Sequence, residues 1–336
     1  MISQYLGFDS DYIIIGLAAL VLILIILMII NVVQMSKLKK SYKIFMKGKN
    51  AKILLFLVPS ILLLTVFVYY PVICNIGYSF FNMSSFSTSK QFIGLGNYKS
   101  MLNDIVIRTA IKNNLIYMFW SLVFQVGVAL LIALVLESGI IKRGKTFFRS
   151  LFFIPSIISI TVVGALFTFI YQPDIGLLNS FLRTLGLGSL THGWLGNSKT
   201  ALYAIIAMSQ WQYTGYTTML LIVAIQRISG SILESAKLDG CSFWQQARYI
   251  IIPNIKDSIS IVIIITINWA MQVFNEIQVM TAGGPGNSTQ TLGNYMYTAA
   301  WSYDKFGYAS AIGNLILVIT VILSYIQLKK NSFVDN

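Results

Sequence analysis

Leu115 to Leu136 reads LIYMFWSLVFQVGVALLIALVL, a stretch without a single Asp, Glu, Lys or Arg. A helix needs about 20 mostly apolar residues to cross the hydrocarbon core of a bilayer, so the stretch predicts a membrane-spanning helix. Further runs of the same kind lie on both sides of it, at approximately Tyr12 to Val33, Ile53 to Cys74, Leu151 to Tyr171, Ala201 to Ile225, Ser258 to Met280 and Tyr308 to Leu328. The expectation is an all-α, polytopic membrane protein with seven spans.

Composition agrees. Hydrophobic residues make up 56% of the chain and charged residues 10%, against roughly a quarter charged in a soluble domain. The net charge of +13 is not gathered into a basic patch interleaved with aromatics, which argues against nucleic acid. Lys and Arg cluster beside the apolar runs instead. With connections alternating across the membrane, one side receives Lys37 to Lys52, Lys142 to Arg149, Arg227 to Lys256, Lys329 and Lys330; the other receives only scattered residues such as Lys90, Arg183 and Lys305. The positive-inside bias then puts the N-terminus outside and the C-terminus inside.

The first run has Asp9 and Asp11 before it and Lys37 to Lys49 after it, the flanks of a retained anchor and not of a cleaved signal peptide. Cys74 and Cys241 are far apart and have no metal-ligand spacing, so neither a structural disulfide nor a metal site is expected. Gly139-Ile-Ile-Lys-Arg-Gly-Lys-Thr146 matches GxxxxGK[ST] letter for letter. Phosphate binding by that motif requires a strand before the loop and a helix after it in an α/β domain. Here spans flank it on both sides, and the expectation is a basic turn.

Between the fifth and sixth runs lies ISGSILESAKLDGCSFWQQARYIIIP, Ile228 to Pro253. Its first half predicts a short helix that begins after Ser229 or Ser231 and ends at Gly240 in a left-handed conformation. A second helix follows Ser242, with Phe243, Ala247 and Ile250 on one apolar face. Residue by residue the stretch resembles the EAA loop of permease subunits in binding-protein-dependent ABC importers, with Glu234, Ala236, Asp239, Gly240, Ile250, Ile252 and Pro253 on the pattern and Ser235 in place of the central Ala. From about Lys52 onward the chain resembles the carbohydrate branch of these permeases, the maltose and glycerol-phosphate type. The matching stretches include Leu57-Val-Pro59, Phe92-Ile-Gly-Leu-Gly-Asn-Tyr98, Phe148-Arg-Ser-Leu-Phe-Phe-Ile-Pro155, Trp194-Leu-Gly196 and Gly283-Gly-Pro-Gly-Asn-Ser-Thr289.

The resemblance implies a six-helix type I importer core, with the first run as an extra N-terminal helix. The implied division is residues 1–51 for that helix and a basic linker, 52–107 for the first core helix and an outer loop, 108–328 for the transmembrane domain with its coupling loop at 228–256, and 329–336 for a tail. It also implies that Glu234, Ser235, Ala236, Asp239, Gly240 and Pro253 belong to an element that docks on an ATPase subunit. The implied partners are a second permease, two ATPase subunits and an external solute-binding protein, in a bacterial plasma membrane. ATP and Mg would sit on the ATPase, leaving no cofactor, metal or catalytic residue on this chain.

In such importers the solute passes between two permeases, so polar residues in the spans are path candidates. The sixth run offers Asn268, Gln272 and Asn275 on one helical face, and the fifth offers Gln210, Gln212 and Tyr213. Trp269 and Phe274 are placed to stack on sugar rings. The alternative for the amides is interhelical hydrogen bonding, worth about 0.6 kcal/mol on average. Glu276 reads as an interfacial carboxylate near a span end. The function expected is ATP-driven import of a sugar or oligosaccharide. A permease for another solute, an ion-coupled secondary carrier and a membrane-embedded enzyme are the competing classes, the last two lacking the buried ionisable groups or activated nucleophile they need.

Overall fold

The computed structural model describes residues 49–84, 90–139, 141 and 143–332; the first predicted run, Tyr12 to Val33, lies outside them. Among the described residues, three helices are long and apolar enough to cross a membrane: α1 (Leu57–Tyr78), α3 (Ile105–Glu137) and α13 (Phe306–Gln327 within Phe306–Ser332). Three bent pairs supply up to three more crossings. They are α4 (Lys145–Ile157) with α5 (Ile160–Ile170), α7 (Ala201–Gln226) with α8 (Gly230–Leu238), and α9 (Phe243–Asn254) with α10 (Lys256–Met271). Shorter helices fill the connections: α2 (Gly96–Asn103), α6 (Leu177–Thr184), α11 (Asn275–Met280) and α12 (Leu292–Tyr297). A two-residue antiparallel pairing, β1 (Phe81–Asn82) with β2 (Gln91–Phe92), is the one sheet among the described residues.

The six core runs therefore fold as a helical bundle, but two are not the straight helices expected. The run Leu151 to Tyr171 bends by 96° between α4 and α5. Ile158 and Ser159 take extended backbone angles there, flanked by Ile157 and Ile160. The carbonyl of Ile158 accepts from Gln212 Nε2 of α7 at 2.9 Å. That bond answers the need of a broken membrane helix to satisfy its backbone from a neighbour. Pro155 lies near the end of α4, which starts at Lys145.

The run Ser258 to Met280 stops at Met271 and resumes at Asn275. Buried Asn114 of α3 spans this break: its Nδ2 donates to the carbonyls of Ala270 (2.7 Å) and Met271 (3.2 Å), and its Oδ1 accepts from Leu292 N (2.9 Å). Thr291 Oγ1 donates to the carbonyl of Val273 at 2.8 Å. An amide on one helix thus carries the irregular backbone of another.

Among the described residues, three apolar clusters hold the bundle. One joins α3, α7 and α11 through Tyr117, Ile205, Met208 and Ile277; the second joins α3 and α7 to α9 through Ala133, Leu221, Ile222, Ala247 and Ile251; the third joins α3, α12 and α13 through Ala110, Leu292 and Ile312. Small residues mark the closest approaches, as is usual where lipid gives no hydrophobic drive between helices. At Gly215 of α7 a Cβ would coincide with the carbonyl of Phe152 in α4, so only glycine permits that contact. α1 stands apart, with Leu57 to Leu64 largely exposed. Its far end is tied by Asn75, whose Nδ2 donates to Asn314 Oδ1 (2.8 Å) and to the Ser310 carbonyl (3.2 Å).

Candidate functional site

Two features stand out, a helical loop at one end of the bundle and a polar cavity at mid-depth, and α7 connects them. At the loop end α7 turns by 79° into α8. Gly240 closes α8 at φ +79, with Cys241 N donating to the Ala236 carbonyl (3.0 Å) and Gly240 N to the Lys237 carbonyl (3.1 Å). This is the left-handed ending anticipated from the sequence, in which a residue with a Cβ would be strained. The helix begins after Ser229, as the sequence predicts, but Ser229 occupies the N-cap without a side-chain capping bond; its hydroxyl pairs with that of Ser231 at 2.7 Å. Ser242 and Gln245 form a capping box that starts α9. Pro253 has no N–H to close onto residue 249, and the turn before it, Ala247–Ile251, widens to π geometry.

The loop presents two faces. Ala247 and Ile251 are buried against the ends of α3 and α7, and Ala236 is buried as well. Glu234, Ser235, Asp239, Gly240 and Pro253 are exposed, and so is Leu238, at 90%. A leucine this exposed on a tip helix did not stand out in the sequence.

Next to the loop, the turn that matches the phosphate-loop pattern joins helix α3 to helix α4, with Gly144 at φ +80. Lys145 there donates to Glu137 Oε2 at 2.7 Å, and Arg149 pairs with Glu137 Oε1. The lysine that such a motif would aim at phosphate is engaged in closing two helices together.

The cavity, of about 190 Å3, is walled by α3 (Tyr117, Ser121, Gln125), α7 (Ser209, Tyr213), α10 (Thr266, Trp269) and the broken segment running from Gln272 to Glu276. Of the residues expected on a solute path, Tyr213, Gln272 and Asn275 line it; Asn268 and Gln210 do not. Asn268 Nδ2 donates to the Ile264 carbonyl (2.9 Å) and to Ser324 Oγ of α13 (3.3 Å). Gln210 bridges two lining residues from behind, accepting from Gln125 Nε2 (2.9 Å) and donating to Ser121 Oγ (3.2 Å). The single helical face predicted for Asn268, Gln272 and Asn275 does not exist, because the helix ends between the first and the other two. Gln212 serves the α4–α5 bend and is 1% exposed.

Glu276 is not interfacial. It is 8% exposed, and Tyr117 OH donates to its Oε1 at 2.7 Å. The helix break turns residue 276 inward, which a reading of the run as one continuous helix has no means to foresee. Trp269 stacks at tilted angles on Tyr213 and Tyr216, each with centroids 5.8 Å away, and Phe274 packs on Tyr297 at 5.0 Å. Two buried lining atoms, Gln125 Oε1 and Thr266 Oγ1, have no protein partner.

Comparison with known proteins places this architecture. Residues 128–330 match the family model of the binding-protein-dependent transport system inner membrane component. The chain is 44% identical to the probable ABC transporter permease protein YurN of Bacillus subtilis, over 82% of this chain and 94% of that one. It is 31% identical to the arabinooligosaccharides transport system permease protein AraP of the same species, over 84% and 89% respectively. Its fold is similar to that of a chain in the crystal structure of a bacterial ABC transporter involved in the import of the acidic polysaccharide alginate, with a TM-score of 0.71 at 23% identity, covering 84% of this chain and 96% of that one. The helical fold is thus that of a type I importer permease, and the chain belongs to the family of binding-protein-dependent transport system inner membrane components.

Proposed function

We propose that this chain is one permease subunit of an ATP-driven importer that passes a saccharide through the cavity at Tyr213, Gln272 and Asn275. Its loop 228–256 faces the cytoplasm and docks on a separate ATPase, with the C-terminus on the same side and the N-terminus outside. The observation that carries this reading is the continuity of α7. Ser209 and Tyr213 line the cavity, and the same helix runs unbroken to Gln226 before turning into α8. At 1.5 Å per residue the arm from Tyr213 to Gln226 is about 20 Å long. A stiff arm passes a rigid-body push on α8 to the cavity wall, and alternating access is built on such movements.

The exposed face of α8 suits a protein groove. Leu238 supplies an apolar knob between Glu234 and Asp239, while the opposite face is already seated on the bundle. Gln272, Asn275 and the indole of Trp269 are exposed beside the cavity. Amides at that depth are costly against lipid, which supports a second permease covering them. A saccharide fits the walls, since aromatic faces take sugar rings and the amides take hydroxyls. The relative AraP, named for arabinooligosaccharide transport, points the same way.

The test is to purify the chain with its candidate ATPase and compare Leu238→Asp and Gly240→Asp with the parent. Both variants are expected to remain in the membrane, to lose the ATPase on gel filtration and to abolish uptake. Retention of the ATPase by both, with uptake intact, refutes the docking role. Uptake that collapses with the proton gradient while ATP stays high refutes the energy source.

A further inference from the structure

Glu276 is a carboxyl in the wall of an otherwise uncharged cavity: among the described lining residues it is the sole ionisable group apart from the tyrosines, and no Lys, Arg or His joins it. It is 8% exposed and has one protein donor to Oε1, the hydroxyl of Tyr117 at 2.7 Å. A carboxylate taken from water needs a compensating charge or several hydrogen bonds, and one tyrosine is a small share of that. The same cavity is lined by the stacked rings of Tyr213 and Trp269 and by the ring of Phe274. Carboxylate and aromatic faces together form the chemistry that holds an ammonium group, through a charge-assisted hydrogen bond and cation–π attraction. Gln125 Oε1 and Thr266 Oγ1, buried in the same wall without partners, suit hydroxyls of the same solute.

We propose that Glu276 makes the cavity select saccharides by charge, and that the cargo it favours is an amine-bearing sugar. This rests on the reading of the chain as a saccharide permease and extends it. An acidic sugar would bring a second carboxylate beside Glu276 with no cation in the wall to receive it. A neutral sugar meets the same wall without penalty and without the added contact. Glu276 therefore acts as a specificity-determining residue, and Tyr117 as the residue that positions its carboxyl.

The experiment uses three monosaccharides of one frame and three charges: D-glucosamine, D-glucose and D-glucuronate. Each is titrated calorimetrically against the full chain, assembled with its partner permease and ATPase in lipid nanodiscs. The external binding protein is left out so that its own specificity does not enter. The expected order is glucosamine first, by about tenfold or more over glucose, as for a hydrogen bond to a charged group, with glucuronate last. Glu276→Gln flattens the order. N-acetylglucosamine, in which the amine is uncharged, falls to the level of glucose on the unsubstituted protein, so the proposal is tested even where the variant fails to assemble. Binding of glucose with no ranking by charge, or with glucuronate tightest, overturns the selection by Glu276 and leaves saccharide import standing. Binding of none of the sugars overturns both.

Discussion

Asn114→Ala should damage the protein more than its conservative appearance implies. The side chain is 1% exposed and makes hydrogen bonds to three backbone groups that no regular helix serves, the carbonyls of Ala270 and Met271 and the N–H of Leu292. Each buried backbone group left unsatisfied costs about 1–3 kcal/mol. The three share one site and relax together, so a total of about 3–5 kcal/mol is expected, not the full sum. At about 2 °C or more per kcal/mol for a chain of this size, the midpoint of thermal unfolding should drop by about 6 °C or more. The assay is gel filtration of detergent-solubilised protein after heating, with Asn103→Ala as the control. Asn103 is exposed and makes a single bond, to the carbonyl of Lys99 on its own helix. A shift under about 2 °C for Asn114→Ala, matching the control, would refute the claim that this amide holds the broken segment. Asn114→Asp discriminates further. It keeps the acceptor for Leu292 N but sets a carboxylate oxygen against two carbonyls, and should be no better than alanine.

At the loop end, Glu137→Gln leaves Lys145 and Arg149 without their shared carboxylate, which is 8% exposed, while the two cations keep partial access to water. A loss of about 2–3 kcal/mol is expected, below the 3–5 kcal/mol of a fully buried pair; heating curves check it, and an unchanged midpoint counts against the clamp. At the opposite end, Asp104 caps α3 and accepts from the hydroxyls of Tyr295 and Tyr308, both at 2.7 Å, and from Val106 N at 2.8 Å. Burial works to raise its pKa, but these bonds outweigh it and hold the carboxyl below its ordinary value. A carboxylate depressed in the folded state stabilises above its unfolded pKa and loses that contribution as pH falls through the folded value. The stability gap between the parent and Asp104→Asn should therefore be full at neutral pH and shrink below about pH 4; a gap that stays constant to pH 3 refutes the reading.

Crossing helices were legible in the sequence because lipid imposes a one-dimensional rule, a run of apolar residues of sufficient length. The loop was legible because its caps are local: Gly240, Ser242 and Gln245 act within a few residues of themselves. The breaks were not. Nothing in Gln272-Val-Phe274 forbids a helix; the interruption is stabilised by Asn114 and Thr291, residues far away in the chain. The same holds for the bend at Ile158 and Ser159, whose carbonyl is answered by Gln212. Periodicity reasoning assumes that backbone bonds stay within the segment, so it fails where a side chain from another helix takes them over. Placing Asn268, Gln272 and Asn275 on one face and Glu276 at the interface were both consequences of extending one helix through a break.

The distribution of buried polar groups separates structure from function more sharply than their positions along the chain do. Asn113, Asn114, Asn179 and Gln212 all spend their amide N–H groups on backbone carbonyls of other segments. In a membrane such groups are the means by which irregular backbone is tolerated, and they need no solute to explain them. A second set has no such employment. Gln125 Oε1 and Thr266 Oγ1 lack partners, Gln272 and Asn275 are exposed, and Glu276 has one protein donor to Oε1. These residues converge on one cavity from two helices and a broken segment. Unsatisfied polar groups are costly in this setting, so the ones that line this cavity suit a hydroxyl-bearing ligand. Both sets meet at the break between Met271 and Asn275. Asn114 keeps that backbone open on one side, and the opened segment turns Glu276 toward Tyr117 on the other. Loss of Asn114 should accordingly weaken sugar binding in any variant that still assembles, because the wall of the cavity is the segment it supports.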